Sequence, residues 1–488
     1  MLLILDFYFG IIKVKETKAI CLNFYEILWG FSLMKNTNLV YGVKDNPGFL
    51  KTIVFALQQV LAILAATIVV PVIINTNNDL NAAGVFPQMS QSAALLGAGV
   101  GTLVYLLFTK FRSPVFLGSS FAFIGSMCAA FAGAASVSVG YIGLIIGAVM
   151  AGLVYVIIAL IVKYAGVKWI DKVMPASVIG PTVAIIGLSL SGNAVGDLTK
   201  GLSCSPWIAL LCGLTTLATV IVCSVYGKKM MKMIPFIIGI GAGYLLASIF
   251  TVIGIIAKAP ALMVIDFTKF ANMVWLPEFT FVAAFEGFAN LGDFGSYLLT
   301  LFVAYVPVAF VVFAEHLADH KNISSIIGTD LTKDPGLHRT LLGDGIGSMV
   351  GAFFGGCPNT TYGESVGCVA ISGNGSVITI VFAAVICILA AFFAPFVTLL
   401  STIPACVMGG VCFALYGFIA VSGLKMIQKV NLNENANLFT VSVILIAGVG
   451  GLVLNIGKIT ITSIACALIL GILTNLLTSK AKKEDKAE

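Results

Sequence analysis

Apolar runs long enough to cross a bilayer recur along almost the whole chain, separated by short segments that carry most of the charged residues. A transmembrane helix needs about 20 mostly apolar residues. A soluble domain has roughly a quarter of its residues charged, whereas only 10% of these 488 residues are charged and the mean hydropathy is +1.07. The sequence therefore predicts a polytopic, all-α membrane protein whose solvent is the lipid bilayer.

Charged residues, prolines and glycines divide the chain into fourteen predicted membrane segments, seven on each side of a long polar loop. Because an odd number of spans inverts the second half relative to the first, this count predicts two inverted repeats. The segments are expected near 50–75, 89–109, 114–133, 138–163, 175–193, 206–227, 233–257, 295–319, 338–356, 360–372, 375–400, 403–424, 436–455 and 457–479.

Basic residues gather in alternate loops, as expected when the positive loops are cytoplasmic. The predicted inner loops and tail contain Lys110 and Arg112, Lys163, Lys168 and Lys172, Lys228, Lys229 and Lys232, Lys321, Lys333 and Arg339, Lys425 and Lys429, and Lys480, Lys482, Lys483 and Lys486. This pattern predicts a multi-pass protein of the cell membrane with both termini cytoplasmic. It also accounts for the net charge of +6, so no nucleic-acid partner is predicted.

Signals for other classes of protein are missing from the sequence. The eleven cysteines lie mostly inside apolar runs without a CxxC pair, which favours packing over a disulfide framework or a metal site. No P-loop or HExxH motif occurs, and no GxSxG motif follows a predicted strand, so neither an enzyme nor ATP-driven transport is predicted, and no cofactor or catalytic residue is assigned.

Two predicted segments at corresponding positions of the two halves are interrupted by polar, glycine-containing strings. The first is LGSSFAF at Leu117–Phe123, and the second is GGCPNTTYGE at Gly355–Glu364. Non-helical backbone within a membrane survives only where protein or a cavity surrounds it. Paired interruptions of this kind indicate a binding site.

Acidic residues at membrane depth indicate function by default. Glu315 follows a long apolar run, Glu364 ends the second interruption, and Asp319 lies one helical turn after Glu315, with His320 beside it. This group is predicted to relay protons. The structural alternative is that these side chains cap a helix or bond to the backbone, and a structural hydrogen bond is the first interpretation for Asp344.

Glycines at every fourth position, Gly343, Gly347, Gly351 and Gly355, form a ridge of small residues in the span that follows. Such a ridge lets two helices pack backbone against backbone, so its predicted role is structural.

Four strings carry a resemblance to a known family: AEHLADHKNISSIIGTDLTKDPGLHR, GGCPNTTYGESVG, LGSSFAFI and IPACVMGG. They resemble the nucleobase-ascorbate transporter (nucleobase:cation symporter 2) family, and within it the bacterial uracil permeases. The resemblance runs from about Tyr41 to Thr478. It implies a core domain and a gate domain, short antiparallel strands in segments three and ten, and a homodimer formed through the gate domain.

The resemblance also implies domain boundaries. The core domain would comprise 49–163 and 295–400, and the gate domain 164–258 and 401–479, with an extracellular loop over 259–294. A cytoplasmic segment over 1–48, within which Met34 is an alternative start, and a cytoplasmic tail over 480–488 would complete the chain.

Carried over by position, the resemblance assigns a uracil site. Glu315 and Glu364 would accept hydrogen bonds from the ring N–H groups, and the backbone amides of Phe123 and Gly363 would donate to the ring carbonyls. The remaining assigned contacts are Tyr362 and Ala122.

The expected function is import of uracil by proton symport, with alternating access between core and gate domains. Proton coupling is assigned to Glu315, Asp319, Glu364 and His320. Asp319 is included because it stands at the position where the best-known relative has a histidine. Gln59 replaces the histidine that this relative has in its first span. The alternatives are a purine permease for xanthine or urate in the same family, or a fold-related anion transporter or channel.

Overall fold

The computed structural model describes residues 39–166, 168–228, 230–289, 291–456 and 459–478, and these are mostly helical. Residues 1–38 of the predicted N-terminal segment and the whole predicted tail lie outside them. In the first half of the chain, the helices are α1 (Phe49–Asn75), α2 (Asn78–Ala82), α3 (Gln91–Phe108), α4 (Ile124–Ala132), α5 (Val137–Ala165), α6 (Lys168–Val173), α7 (Ala176–Ser189), α8 (Ser191–Asp197), α9 (Pro206–Tyr226), α10 (Met230–Met233) and α11 (Pro235–Ala257).

The second half begins after a connection that contains single 3₁₀ turns at Pro260–Leu262, Phe267–Asn272 and Glu286–Ala289. Its helices are α12 (Thr280–Phe285), α13 (Phe294–Ile327), α14 (Leu337–Gly355), α15 (Gly363–Ser372), α16 (Val377–Ala391), α17 (Ala394–Ser401), α18 (Ala405–Ile427), α19 (Asn435–Val449) and α20 (Ser463–Thr478). The strands are β1 (Leu117–Ser119), β2 (Asn359–Thr361), β3 (Leu454–Ile456) and β4 (Ile459–Ile461).

Eight helical spans in the described residues are long and apolar enough to cross a membrane, and the bent pair of α16 and α17 would be a ninth. The eight are α1 continued by α2, α3, α5, α7 continued by α8, α9, α11, α13 and α18. Shorter apolar helices lie at several of the other predicted positions. The chain is therefore a multi-pass membrane protein, as its composition predicted.

Two predicted spans differ in shape from the expectation. The span near 375–400 is divided into α16 and α17, which meet at 80°. Pro395 lies in the first turn of α17, and because proline lacks an N–H and clashes with the preceding turn it begins a helix rather than continuing one.

At the C-terminal end, helices were expected over 436–455 and 457–479, but α19 ends at Val449 and α20 begins at Ser463. Between them, β3 and β4 pair antiparallel. Gly450 follows α19, and Gly451 has a φ of +69°. Glycine adopts this left-handed conformation without steric cost, and the conformation ends the helix. The β-branched residues after them favour strands.

One two-stranded sheet pairs a strand from the first half of the chain with a strand from the second half. β1 and β2 pair antiparallel, with Leu117 opposite Thr361 and Ser119 opposite Asn359, and all their residues are buried. The Thr102 hydroxyl of α3 accepts a hydrogen bond from the Leu117 N–H at 3.0 Å. The short strands implied by the resemblance are thus present, and their polar backbone groups find partners inside the protein.

The glycine ridge of α14 packs against α3, as the spacing predicted. A Cβ atom on Gly347 would lie 2.8 Å from the Gly101 carbonyl oxygen, and a Cβ on Gly343 would lie 3.0 Å from that of Tyr105. The Asn359 amide, at the start of β2, donates to the Gly97 carbonyl at 3.0 Å. Close packing of α3 against α14 therefore holds the sheet in place.

Candidate substrate-binding site

A cavity of about 460 Å³ lies beside the sheet, and we call it the central cavity. Its two walls come from different parts of the chain. One wall is formed by residues within 49–163 and 295–400, and the other by residues within 164–258 and 401–479. The second wall is largely apolar: Val183, Ile186, Phe236, Leu415, Phe418 and Ile419. Residues from both the predicted core ranges and the predicted gate ranges therefore line one cavity.

All the acidic residues that line the central cavity belong to the first wall. Glu315 and Asp319 come from α13, where a spacing of four places them on one face of the helix, and Glu364 comes from the first turn of α15. The structure thus brings Glu364 to Glu315 and Asp319, from which it is more than forty residues away in the sequence.

The two glutamates are unpaired in this cavity. Within the described residues, neither the Glu315 nor the Glu364 carboxylate accepts a hydrogen bond from, or forms an ion pair with, another residue. Both are only partly buried. A carboxylate in an apolar cavity loses much of its hydration, so a ligand that offers N–H donors there would restore hydrogen bonds that the protein does not supply.

Two helical N-termini also reach the cavity. The 3₁₀ turn Phe121–Phe123, which leads into α4, contributes Phe121 and Ala122, and α15 contributes Gly363. The first N–H groups of a helix have no partner within the helix and carry its positive dipole end. Hydrogen-bond donors therefore lie on the same wall as the acidic residues.

Asp319 is held by the sheet. Its Oδ2 accepts a hydrogen bond from the Thr361 hydroxyl at 2.9 Å, and a Cβ on Gly363 would lie 3.8 Å from its Oδ1. Asp319 is only 9% exposed. The residue is thus fixed between β2 and the first turn of α15, next to Glu364.

Thr361→Val is expected to lower the free energy of unfolding by about 1 kcal/mol, because it removes the donor to Asp319 while keeping the shape of the side chain. Thr360→Val is the matched control, since the Thr360 hydroxyl is buried without a partner among the described residues. Thermal unfolding of both variants in detergent measures the difference. Equal stability of the two variants would show that the Thr361 hydrogen bond contributes nothing.

Tyr362 lines the cavity and fixes the sheet to it. Its hydroxyl donates to the Ser119 carbonyl at 2.9 Å, and its ring packs against Gly118, where a side chain would overlap the ring. Phe123 lies next to the cavity rather than on its surface, since its ring is 1% exposed and stacks on Tyr305 with ring centroids 5.6 Å apart. Ala122 contributes to the lining instead.

The histidines near Asp319 do not line the cavity. His320 is fully buried, donates through Nδ1 to the His316 carbonyl at 2.9 Å, and has Nε2 2.7 Å from the Tyr105 hydroxyl. His316 lies 2.7 Å from Asp344 through Nδ1 and 3.0 Å from Thr340 through Nε2. The structural hydrogen bond expected for Asp344 is thus present.

Sequence reasoning missed several lining residues. Lys232, Asn322 and Ser422 supply polar groups on either side of the cavity, and the aromatic residues Phe236 and Phe418 belong to its apolar wall. Lys232 had been assigned only to an inner loop. The sequence did not identify the apolar lining residues, because apolar residues of the same types face a cavity and face lipid.

A second cavity, of about 640 Å³, lies nearer the other end of the fold. It is lined by the last residues of α1, including Asn75, and by Lys269, Glu278 and Ser401. The central cavity is lined on α1 by Ala62, which is about 15 Å along the helix from Val72 in the second cavity. Lys269 spans part of the second cavity by donating to the Ser401 carbonyl at 2.6 Å.

Within the part of the chain that the structure describes, no group of three or more His, Cys, Asp or Glu side chains is arranged to hold a metal ion. The described cysteines are all free.

The chain is similar in sequence to known transport proteins. Residues 50–457 match the profile of the Permease family (Xan_ur_permease). The chain is 38% identical to the uracil permease of Bacillus caldolyticus, over 90% of this chain and 94% of that protein. It is 37% identical to the uracil permease of Bacillus subtilis, over 92% and 97% of the two chains, and 35% identical to that of Escherichia coli, over 90% and 94%.

Solved structures of other transporters share the fold. The transmembrane domain of the cyanobacterial bicarbonate transporter BicA superposes with a TM-score of 0.57 at 16% identity, covering 89% of this chain and 99% of that one. The murine anion transporter Slc26a9, in an inward-facing state, superposes with a TM-score of 0.56 at 11% identity, covering 94% and 75%. At these identities the likeness concerns the fold alone.

Proposed function

Since this chain belongs to the Permease family, we propose that it imports uracil by proton symport, with alternating access between a core and a gate domain. The observation that carries this proposal is the central cavity, in which two unpaired glutamates and two helical N-termini share one wall. The curated relatives at 35–38% identity that are called uracil permeases support the choice of substrate.

Uracil has donors and acceptors that complement the carboxylates and N–H groups of this wall. Its flat ring carries two N–H donors and two carbonyl acceptors. Glu315 and Glu364 accept the two N–H groups, while backbone N–H groups at Gly363 and around Ala122 and Phe123 donate to the carbonyls. Tyr362 and the apolar wall contact the ring. The volume of about 460 Å³ lies within the range of small-molecule sites.

A ligand held between the core wall and the gate wall can be moved across the membrane when one domain moves against the other. The hydrogen bonds proposed above all lie on the core wall, so the core domain would carry uracil, while the gate domain, whose lining is mainly apolar and includes Phe236 and Phe418, slides past it. The central cavity reaches Lys232 and Met426, which belong to predicted cytoplasmic ends, whereas the second cavity lies under the predicted extracellular loop. Movement of the core against the gate would open the path through the second cavity and close the central one to the cytoplasm.

The coupling proton is bound by the acidic group Glu315, Asp319 and Glu364. Three carboxyl groups in one low-dielectric cavity repel each other when ionised, and a proton shared among them relieves this repulsion. His320 follows Asp319 directly in α13, and its bonds to the His316 carbonyl and the Tyr105 hydroxyl help to orient the helix turn that carries Asp319.

The proposal includes a topology. The described helices, with the two strand-containing segments and the bent pair counted as spans, are arranged as fourteen segments in two inverted repeats, with both termini cytoplasmic in the cell membrane. The two units of strand followed by short helix, β1 with α4 and β2 with α15, support the repeat. A homodimer through the gate domain belongs to the same proposal.

Thermal stabilisation of the purified protein by a panel of ligands tests the substrate. A ligand that binds only the folded state raises its stability by RT ln(1 + [L]/Kd). Uracil is expected to raise the melting temperature, whereas xanthine, urate and bicarbonate are not. Stabilisation by xanthine or urate alone would identify a purine permease, and stabilisation by bicarbonate alone would identify an anion transporter.

Asp319→Asn is expected to separate binding from coupling. The variant retains a side-chain oxygen for the Thr361 hydrogen bond and leaves both glutamates in place, but it cannot take up a proton. Uracil should still raise its melting temperature, whereas accumulation of labelled uracil against a concentration gradient in proteoliposomes should fall about ten-fold or more, as for loss of a positioned acid–base group. Asp79→Asn, at an exposed position of α2, is the control. Full accumulation by Asp319→Asn would remove Asp319 from the proton path.

A further inference from the structure

A smaller cavity at the predicted cytoplasmic surface, away from the substrate site, gathers three basic residues. It has a volume of about 230 Å³ and lies among α3, α5 and α14. Lys163 at the end of α5, and His338 and Arg339 in the first turn of α14, line it. Lys163 and Arg339 both lie close enough to His338 to interact with it electrostatically. We call this the basic pocket.

The basic pocket holds no compensating charge. No acidic residue lines it, and within the described residues neither Lys163 nor Arg339 forms an ion pair. The Lys163 ammonium lies 5.3 Å from the centre of the exposed Tyr164 ring. The first turn of α14, a helix of nineteen residues, adds the positive end of its dipole. Grouped cations without a counter-charge repel each other, so an anion would be bound favourably.

The other walls of the basic pocket are apolar, which distinguishes it from a site for a soluble anion. Phe108, Leu160 and Leu342 line it beside the three basic residues. From Leu160, an exposed apolar stripe runs along α5 toward the middle of the predicted span through Ile157 and Leu153, which are 56% and 50% exposed. Their spacing of three to four residues keeps them on one face of the helix.

We propose that the basic pocket binds the phosphate headgroup of an anionic phospholipid, with an acyl chain lying along the stripe Leu153–Ile157–Leu160. Basic pockets between transmembrane helices at the cytoplasmic surface bind headgroups of this kind. Since α3, α5 and α14 all contribute to the pocket, the lipid bridges α5 and the two helices, α3 and α14, whose packing holds the sheet of the central cavity.

The test uses the purified, delipidated full-length chain in detergent. Its melting temperature is measured with added phosphatidylglycerol, with phosphatidylcholine, and with inorganic phosphate at the same phosphate concentration. Phosphatidylglycerol is expected to raise the melting temperature more than either of the others. An equal effect of phosphatidylcholine would overturn the charge recognition, and an equal effect of inorganic phosphate would replace the lipid with a soluble anion. These arms need no variant.

The double variant K163Q/R339Q assigns the effect to the pocket. Each basic residue near the surface of an anionic membrane contributes about five-fold in affinity, so the apparent affinity for phosphatidylglycerol should fall about 25-fold. The matched control is Lys425→Gln, in the last turn of α18 and outside the pocket, which should leave the affinity unchanged. Retention of the phosphatidylglycerol effect in the double variant, or its loss in Lys425→Gln, would overturn the assignment. If the double variant does not fold, the single Arg339→Gln variant should show about a five-fold loss, and an unchanged affinity there would overturn it.

Discussion

Glu364→Gln is expected to weaken uracil binding about 100-fold and to abolish measurable uptake. The substitution keeps the size of the side chain but replaces a charged acceptor with a neutral amide, one end of which is a donor that faces a ring N–H. A hydrogen bond to a charged group contributes about 1.5–3 kcal/mol, and the misplaced donor adds to the loss. Titration of the melting temperature with uracil measures the affinity, and labelled uracil measures the uptake.

Glu286→Gln is the control for this variant, because Glu286 is exposed in the connection before α13 and does not line the central cavity. It should bind uracil as the unaltered protein does. Glu364→Gln should retain the melting temperature of the ligand-free protein, since the Glu364 carboxylate has no partner in another described residue. An unchanged uracil affinity in Glu364→Gln would remove Glu364 from the site.

Gly347→Ala is expected to lower the stability of the protein by about 3 kcal/mol, at the upper end of the cost of overpacking. Its Cβ would lie 2.8 Å from the Gly101 carbonyl oxygen and 2.8 Å from a methyl group of Leu117 in β1. The carbonyl belongs to the backbone of α3 and cannot turn away, so α3 and α14 must separate. Because the sheet depends on this packing, uracil binding should weaken together with stability.

Gly417→Ala provides the matched comparison, as a glycine within α18 around which nothing lies within 4 Å of an added Cβ. Alanine is the better helix former, so this variant should be as stable as the parent protein or slightly more stable. Thermal unfolding of both variants measures the contrast. If Gly347→Ala melts at the same temperature as Gly417→Ala, the close approach of α3 and α14 is not what holds the fold.

The parts of the fold that the sequence predicted are those with a long-range hydrophobic signal. Apolar runs located the long helices, and the four-residue spacing from Gly343 to Gly355 identified the packing surface of α14. β1 and β2 are only three residues long, too short for an alternating pattern, so they followed from the family resemblance alone. The bend before Pro395 was missed because it lies inside a run as apolar as a continuous span, and the hairpin of β3 and β4 was missed because the apolar residues on each side of Gly457 were assigned to two helices.

The sequence predicted the acidic residues of the candidate site but not the residues that hold them in place. An acidic residue inside an apolar run is conspicuous, so Glu315, Asp319 and Glu364 were found, and the structure brings them to one cavity. The Thr361 hydroxyl that fixes Asp319 could not be found, because threonines are common in membrane helices and strands. The burial of His320 behind the cavity depends on Tyr105, more than two hundred residues away in sequence, which no local pattern reveals.

The difference in polarity between the two walls of the central cavity suits a carrier. In the proposed complex, uracil bound to Glu315 and Glu364 would face a wall that is apolar apart from Lys232 and Ser422. Apolar contacts are non-directional, so they can slide at little cost, whereas hydrogen bonds to the carboxylates hold the ligand to the core. The arrangement therefore favours a carrier that moves with its ligand over a pore through which the ligand passes.

Proton-coupled import by this chain can be measured as uptake into proteoliposomes with an imposed pH gradient. With the outside acidic and the membrane potential clamped at zero, labelled uracil should accumulate above its external concentration, and a protonophore should release it. Protein-free liposomes give the background. Equilibration of uracil without accumulation, or accumulation that persists when the gradient is dissipated, would contradict proton-coupled import by this chain.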